Sequence, residues 1–410
     1  MLLAALLSPV NVGQAREILE SMNPNDLLDE YLSPFVSPIP PSHNICHLAL
    51  VLLRSSMTGT TPFLQSLDEN RFEALKRVLL ELLFSTKTSP EIKIAAAHCI
   101  GELCFAIVSY FDDFWPEACE SVLQNAISSA SAPTRAGCLA CLTAGLAESI
   151  FQIDPSSSLQ MLKGVLEQAL VDPHLKVRTQ AIITSVSCCY FLQMETDKAL
   201  FQPVFAAIIT TLGTTVMHFS LDSQVDTFDA ATKGIEAILD IIAMDINLFR
   251  EVSSDGHVVS YSSLESLAAI CLQLSSKTAL ETARTKLDVD EWKSVRRLSF
   301  ELLVSMCEAS PPLCRKLNNN SFVQEVVRCC FEFLVEGEDD LAIGEENLSR
   351  VIHSLGTKST MRVCLTCVEV CLSASSSSEA NRRRGGLCGL TVLLEYNWNA
   401  AGTLALGDLI

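Results

Sequence analysis

The chain is poor in the residues that interrupt helices. Glycine contributes 17 and proline 15 of its 410 residues, too few for the frequent turns of a β-sandwich or barrel. Alternating β-branched runs are scarce as well, so the sequence reads as all-α. Positive charge is also in short supply. The 29 lysines and arginines face 48 aspartates and glutamates, a net charge of −19. A surface of that sign repels phosphates, which argues against direct nucleic-acid binding and suits basic partners. Catalytic signatures are missing. The histidines (His43, His47, His98, His174, His218, His257 and His353) form no HExxH and no motif with a cysteine or serine. No glycine-rich phosphate loop is present, because Lys293-Ser294 lacks its glycines. The sequence therefore predicts no enzyme, no cofactor and no metal. No window reaches about 18 uninterrupted apolar residues, so no membrane insertion is expected. Residues 1–7 are apolar but lack the basic start and cleavage site of a signal peptide.

What is abundant is apolar surface and cysteine. Hydrophobic residues make up 49% and charged ones 19%, so the chain buries a large core. A length of 410 residues exceeds one ordinary core but suits a solenoid, which grows by adding units. Seventeen cysteines include two CxxC pairs, Cys138/Cys141 and Cys364/Cys367, and two adjacent pairs, Cys188-Cys189 and Cys329-Cys330. All lie in apolar helical runs without companion ligands at zinc-finger spacing. They read as small buried hydrophobes in a reducing compartment.

The run 171–190 organises the rest. Asp172 is placed to cap a helix that Pro173 opens. Val177, Ala181, Ile182, Val186 and Cys189 then recur at helical spacing. The same device stands upstream, where Ser89-Pro90 opens an apolar helix and Ala132-Pro133 opens another. Pro90, Pro133 and Pro173 are thus nearly evenly spaced along the chain. Two helices per period of about 40 residues is the mark of HEAT or armadillo arrays, about eight to nine units over this length. In chain order the helical expectations are 2–7, 10–22, 26–31, 42–57, 63–84, 90–110, 116–128, 133–151, 155–170, 173–194, 198–218, 222–243, 245–252, 261–277, 290–309, 311–317, 322–335, 348–355, 361–373 and 386–395. A proline-rich turn is expected at 33–41, a break at 253–257, a polar connection at 279–288 and a serine-rich linker at 373–378. The acidic stretch 336–346 reads as a mobile loop interrupting the array. After residue 395 the pattern is lost, and 396–410 reads as an irregular tail at a truncated end.

Several segments resemble the importin-β (karyopherin-β) nuclear transport receptors. These are Ala5-Leu-Leu-Ser-Pro followed by Ala15-Arg-Glu17, the helix His47-Leu-Ala-Leu-Val-Leu-Leu-Arg54, and Phe114-Trp-Pro-Glu117. The later order is similar to the karyopherin beta-three (importin-five) branch. There a helix like 295–309 precedes an apolar helix, an acidic insertion, a further pair, and a basic step with Gly-Gly-Leu, here Arg383-Arg-Gly-Gly-Leu387. The acidic insertion is shorter here, and the aspartate-tryptophan that normally precedes the basic step is absent. The resemblance covers about residues 1–395, the N-terminal half of such a receptor.

It implies a right-handed α-solenoid of HEAT repeats that imports proteins into the nucleus. Residues 1–110 would form the N-terminal, Ran-binding repeats and 111–395 further repeats. Implied partners are the Ran GTPase in its GTP form, basic protein cargo and FG-nucleoporins. The implied state is a monomer in cytoplasm and nucleus, including the nuclear pores. Candidate Ran contacts are Arg54, Glu91, Lys93 and Glu102, polar positions on N-terminal helices. Glu336, Glu338, Asp339, Asp340, Glu345 and Glu346 are candidates to meet basic signals or Ran through charge-assisted pairs. Trp115 and Trp292 stand at helix starts, where packing is the commoner use of tryptophan. Two other readings stay open: a HEAT scaffold unrelated to Ran, of phosphatase-scaffold or tubulin-binding type, or an inactive fragment.

Overall fold

A computed structural model describes residues 2–8, 11–37, 41–58, 62–153, 155–192, 194–218, 225–249, 251–252, 258–276, 289–336, 338–372 and 380–401. The Ser8-Pro9 break in part, much of the proline-rich turn, the break at 253–257, and the connections at 279–288 and 373–378 lie outside these residues. The chain divides into two units, Met1–Leu200 and Phe201–Ile410.

The first unit is a series of antiparallel helix pairs. Short helices Leu2–Leu6 and Val12–Ser21 open it. Pro24–Val36 is followed by His43–Thr58, Glu69–Phe84 by Pro90–Phe111, and Pro116–Ser128 by Ala132–Cys141 with its continuation. Pro155–Leu170 and Leu175–Cys189 follow. Local chemistry sets many starts. The side chains of Asn23, Asp68, Ser89 and Ser131 each accept a backbone N–H three residues on, which satisfies an otherwise orphaned donor. Proline occupies the first turn of several helices, where no N–H is needed.

Pro24–Val36 is longer than the short helix and turn expected from its prolines. Pro34 falls in the last turn, so few backbone bonds are affected, and it is buried with Leu28, Tyr31 and Leu32. Asp172 does not cap a helix at Pro173. The helix begins at Leu175, and Asp172 Oδ1 instead accepts the His174 N–H at 2.8 Å. Its carboxylate is held by an arginine one repeat earlier.

Helices Pro90–Phe111 and Ala132–Ile153 are each long and apolar enough by composition to cross a membrane. Here their apolar faces are buried against neighbouring helices: Ala96, Ile100 and Leu103 on one, Leu139, Leu142 and Leu146 on the other. The two cross closely at glycine. A Cβ on Gly101 would stand 2.6 Å from both Ala144 Cβ and the Cys141 carbonyl oxygen. Gly145 adopts φ +137° within a π-turn at Leu142–Leu146, with the Gly101 carbonyl oxygen 2.8 Å from where its Cβ would be. This kinks the second helix, as expected of a π-bulge carrying glycine.

The second unit starts within helix Glu195–His218 and continues with Val225–Asp245 and a 3₁₀ turn at Ile246–Phe249. One small β element interrupts the helices. Glu251–Val252 and Val258–Ser260 pair as a two-stranded antiparallel ribbon, where the sequence had suggested that the helix at 245 runs on to 252. Ser262–Ser275 and Val289–Ala309 follow, then Phe322–Glu336, Glu338–Leu355, Thr357–Leu372 and Ala380–Ala401. The last helix begins before and ends beyond the expected 386–395, so 396–401 are helical and not an irregular tail. Phe300 and Phe333 stack at 4.5 Å between ring centroids, and Trp292 meets Phe228 edge-on. Trp292 and Trp115 are both buried, so both pack as expected.

Candidate partner-binding surfaces

In the first unit the candidate side chains gather on helices His43–Thr58 and Pro90–Phe111, but not as one polar patch. Glu91 is exposed in the first turn of its helix. Its carboxyl is held below the ordinary glutamate value by its own backbone N–H, the Ser89 hydroxyl, and the charges of His43 and Lys176. Arg54 and Glu102 join the two helices. Arg54 donates to Glu102 Oε1 from Nη2 at 2.9 Å and from Nε at 3.2 Å. His98 lies one turn before Glu102, and burial together with the Arg54 charge lowers its pKa.

Lys93 is not available at the surface. It is buried, and its Nζ donates to the Leu83 carbonyl at 2.6 Å and to Thr134 Oγ1 at 2.9 Å. Burial lowers its pKa, since its partners are neutral. It ties the C-terminus of one helix to the start of a helix in the next pair.

In the second unit the acidic stretch is helical at 336 and at 338–346 rather than a loop. Glu336 closes helix Phe322–Glu336, and Glu338, Asp339 and Asp340 open Glu338–Leu355. Asp340 in that first turn favours the positive end of the helix dipole, so charge that suggested a solvated loop stands at the start of a helix. Glu336 is ion-paired with the buried Arg296, whose guanidinium lies 4.0 Å from the Phe333 ring centroid. Asp340 Oδ1 accepts from Arg297 Nη2 at 2.8 Å. Only Glu345 and Glu346 of the six are described as exposed.

Sequence reasoning missed these partners, although a signal was present. Arg296 pairs with Glu336 and Arg297 with Asp340, one repeat period along the chain in each case. The same interval recurs in both units. Arg135 clamps Asp172 through Nε–Oδ2 at 2.7 Å and Nη2–Oδ1 at 2.9 Å, and Arg71 holds Asp29 at 2.7 Å. Thr143 and Thr184 share a hydrogen bond at 2.9 Å. Arg350 reaches Glu308 and Glu301, both at 2.7 Å. Charges one repeat apart thus stitch neighbouring helix pairs together. The cysteines are buried except Cys46, Cys367 and Cys388, which are half-buried, and burial pushes thiols such as Cys99, Cys138 and Cys188 up to about 12. Among the described residues no three metal-ligating side chains gather.

No protein-family model matches the chain, and no curated protein matches it at significant similarity. Solved structures do match. The chain is similar to Kap121p bound to RanGTP, with a TM-score of 0.71 and 15% identity over 98% of this chain and 36% of that one. It is similar to Kap121p bound to Ste12p, with a TM-score of 0.70 and 14% identity over 99% and 37%. Kap121p bound to Nup53p matches at 0.69 with 15% identity over 100% and 37%. The chain spans little more than a third of the length of these structures. It has the fold of the karyopherin, or importin-β, family: an all-α solenoid of HEAT repeats.

Proposed function

We propose that the chain is a nuclear import receptor of the karyopherin beta-three branch, corresponding to its N-terminal half. It binds protein cargo bearing a basic localisation signal and releases that cargo on binding RanGTP. The observation that supports this is the fold match along nearly the whole chain to a karyopherin solved with RanGTP and with several other proteins. The acidic balance of the chain suits a basic ligand. RanGTP and cargo each lower the other's affinity by the same factor, as linkage requires.

In this reading residues 1–110 carry the Ran contact, through exposed Glu91 and the Arg54–Glu102 pair. Glu345 and Glu346 offer carboxylates to cargo, with Glu338 and Asp339 as further candidates in the same helix. Lys93, Glu336 and Asp340 act by holding repeats in place. FG-nucleoporins are further partners, and the protein is a monomer that moves between cytoplasm and nucleus through the pores.

The test is binding of the purified, helical chain to Ran loaded with GTP and, separately, with GDP. A preference for the GTP form of at least tenfold is expected. Equal affinity for both forms, or none for either, would leave a HEAT scaffold unrelated to Ran.

A further inference from the structure

Three helices of the first unit end on aromatic residues one repeat apart. Phe111, Phe151 and Phe191 are equally spaced along the chain. Phe111 ends helix Pro90–Phe111, Phe151 lies in helix Ala147–Ile153, and Phe191 follows helix Leu175–Cys189. The middle helix packs against both of the others, so the three ends form one edge. Phe151 and Phe191 stack at 4.7 Å between centroids, and Phe111 lies 5.8 Å from Phe72. Beside these rings stands a second set of apolar side chains with no burial to explain them. Tyr110 is 49% exposed, Ile153 50%, Tyr190 68% and Met194 65%. Single exposed hydrophobics are ordinary, but several at the ends of helices that pack side by side in successive repeats mark an interaction surface.

The sequence around the edge supplies its sign. No lysine or arginine occurs in residues 94–134, 136–162 or 179–197. Asp112, Asp113 and Glu148 are exposed along the edge, and Asp197 lies half-buried by Met194. Lys76, which lies over the Phe72 and Trp115 rings, is already paired with Glu73 at 2.9 Å. A second copy of the chain would bring the same carboxylates to the contact, so self-association is disfavoured. Spacing narrows the occupant further. Packed helices lie roughly 8–10 Å apart, and an α-helix rises about 1.5 Å per residue. At the wide end of that range successive rungs meet a helical ligand about every six to seven residues, close to two turns and on one face. An extended strand covers the interval in about three residues and turns alternate faces to the rungs.

We propose that this edge docks a basic amphipathic helix of a partner protein, whose apolar stripe meets Tyr110, Ile153, Tyr190 and Met194 while its lysines and arginines meet the flanking carboxylates. This surface uses none of the Ran or cargo side chains named above, and it stands whether or not the chain binds Ran.

The probe is a fluorescein-labelled 18-residue peptide of leucine and lysine with leucine on one helical face. Its controls are a peptide of the same composition with the pattern scrambled, and one with a central proline. The wild-type chain is expected to bind the amphipathic peptide at least tenfold more tightly than either control. The variant Tyr110→Ser/Ile153→Ser/Tyr190→Ser/Met194→Ser, with unchanged helical circular dichroism, is expected to lose at least tenfold. Single Tyr190→Ser, at the most exposed of these positions, is expected to lose a smaller part of that affinity without a stability change. Equal binding of the scrambled peptide would reduce the effect to general attraction by an acidic protein and overturn the proposal. Equal binding of the proline peptide would overturn the helical occupant, and unchanged affinity of the variants would overturn the surface.

Discussion

Removing the positive partner of the Arg135–Asp172 pair tests how the repeats are held together. Both side chains are more than nine-tenths buried, at 8% and 9% exposure, and the contact is bidentate. Arg135→Met keeps most of the volume and leaves a buried carboxylate without its cation. Breaking a buried pair on one side costs about 3–5 kcal/mol. In a unit of 200 residues, each kcal/mol shifts the melting temperature by about 2–4 °C, so a fall on the order of 10 °C is expected. Arg135→Met/Asp172→Leu removes both charges. It should recover to within about 2 kcal/mol of wild type, the remainder reflecting the Ser129 carbonyl and His174 N–H left without partners. The pH dependence carries a second signature. Burial works against ionisation of Asp172, but the Arg135 hydrogen bonds and charge outweigh it, so the carboxyl lies below its ordinary value. Wild type therefore gains stability above about pH 4, the unfolded value, and loses it as pH falls through the lower folded one. In Arg135→Met burial is opposed mainly by the His174 N–H and raises the carboxyl instead, so its penalty grows as pH rises above about 4. The gap between the two proteins should be widest near pH 7 and narrow toward pH 4. Urea unfolding of wild type, both singles and the double at pH 4, 5.5 and 7 measures all of this. A cost below about 1 kcal/mol for Arg135→Met, or a double variant as unstable as the sum of the singles, would refute the reasoning.

Gly145→Ala should cost at least about 2 kcal/mol, since it adds strain at φ +137° to a clash with the Gly101 carbonyl; a thermal melt within 1 °C of wild type would sink that account. Lys93→Met should cost about 1–3 kcal/mol by stranding the Leu83 carbonyl, and unfolding at pH 7 measures it. His98, whose pKa is lowered by burial and by Arg54, binds its proton less readily in the fold than in the unfolded chain, which takes one up near pH 6.5. Stability therefore falls as pH drops from 6.5, and His98→Gln should flatten that slope between pH 7.5 and 5.5. Glu345→Ser/Glu346→Ser should weaken a lysine-rich peptide severalfold at low salt and little at high salt, an effect that anisotropy titrations at two ionic strengths will reveal or exclude.

The repeat was legible because it depends on local chemistry. Pro90 and Pro133 open helices as expected, with Ser89 and Ser131 as their caps, and the repeat interval survives as physical contact between Lys93 and Thr134, Arg135 and Asp172, and Thr143 and Thr184. The candidate surface was less legible, because charge alone does not say whether a side chain meets solvent or another repeat. Glu91 remained exposed, whereas Lys93, two residues later, turned inward on the same helix. The stretch at 336–346 was read as a loop from its charge density; Arg296 and Arg297 make it part of a helix-to-helix contact. That information lies a full repeat upstream, beyond any window that judges a segment by its own composition.

The sequence by itself determined the helical class, the period and the burial of most cysteines and of Trp115 and Trp292, because apolar spacing, capping residues and proline positions act within one or two turns of the chain. The tertiary structure decided which charges are spent between repeats and which remain for partners. It also decided where helices approach closely enough to require Gly101 and Gly145, and that phenylalanines one repeat apart share one edge. Those are properties of distance between segments remote in the chain, and only packing sets that distance.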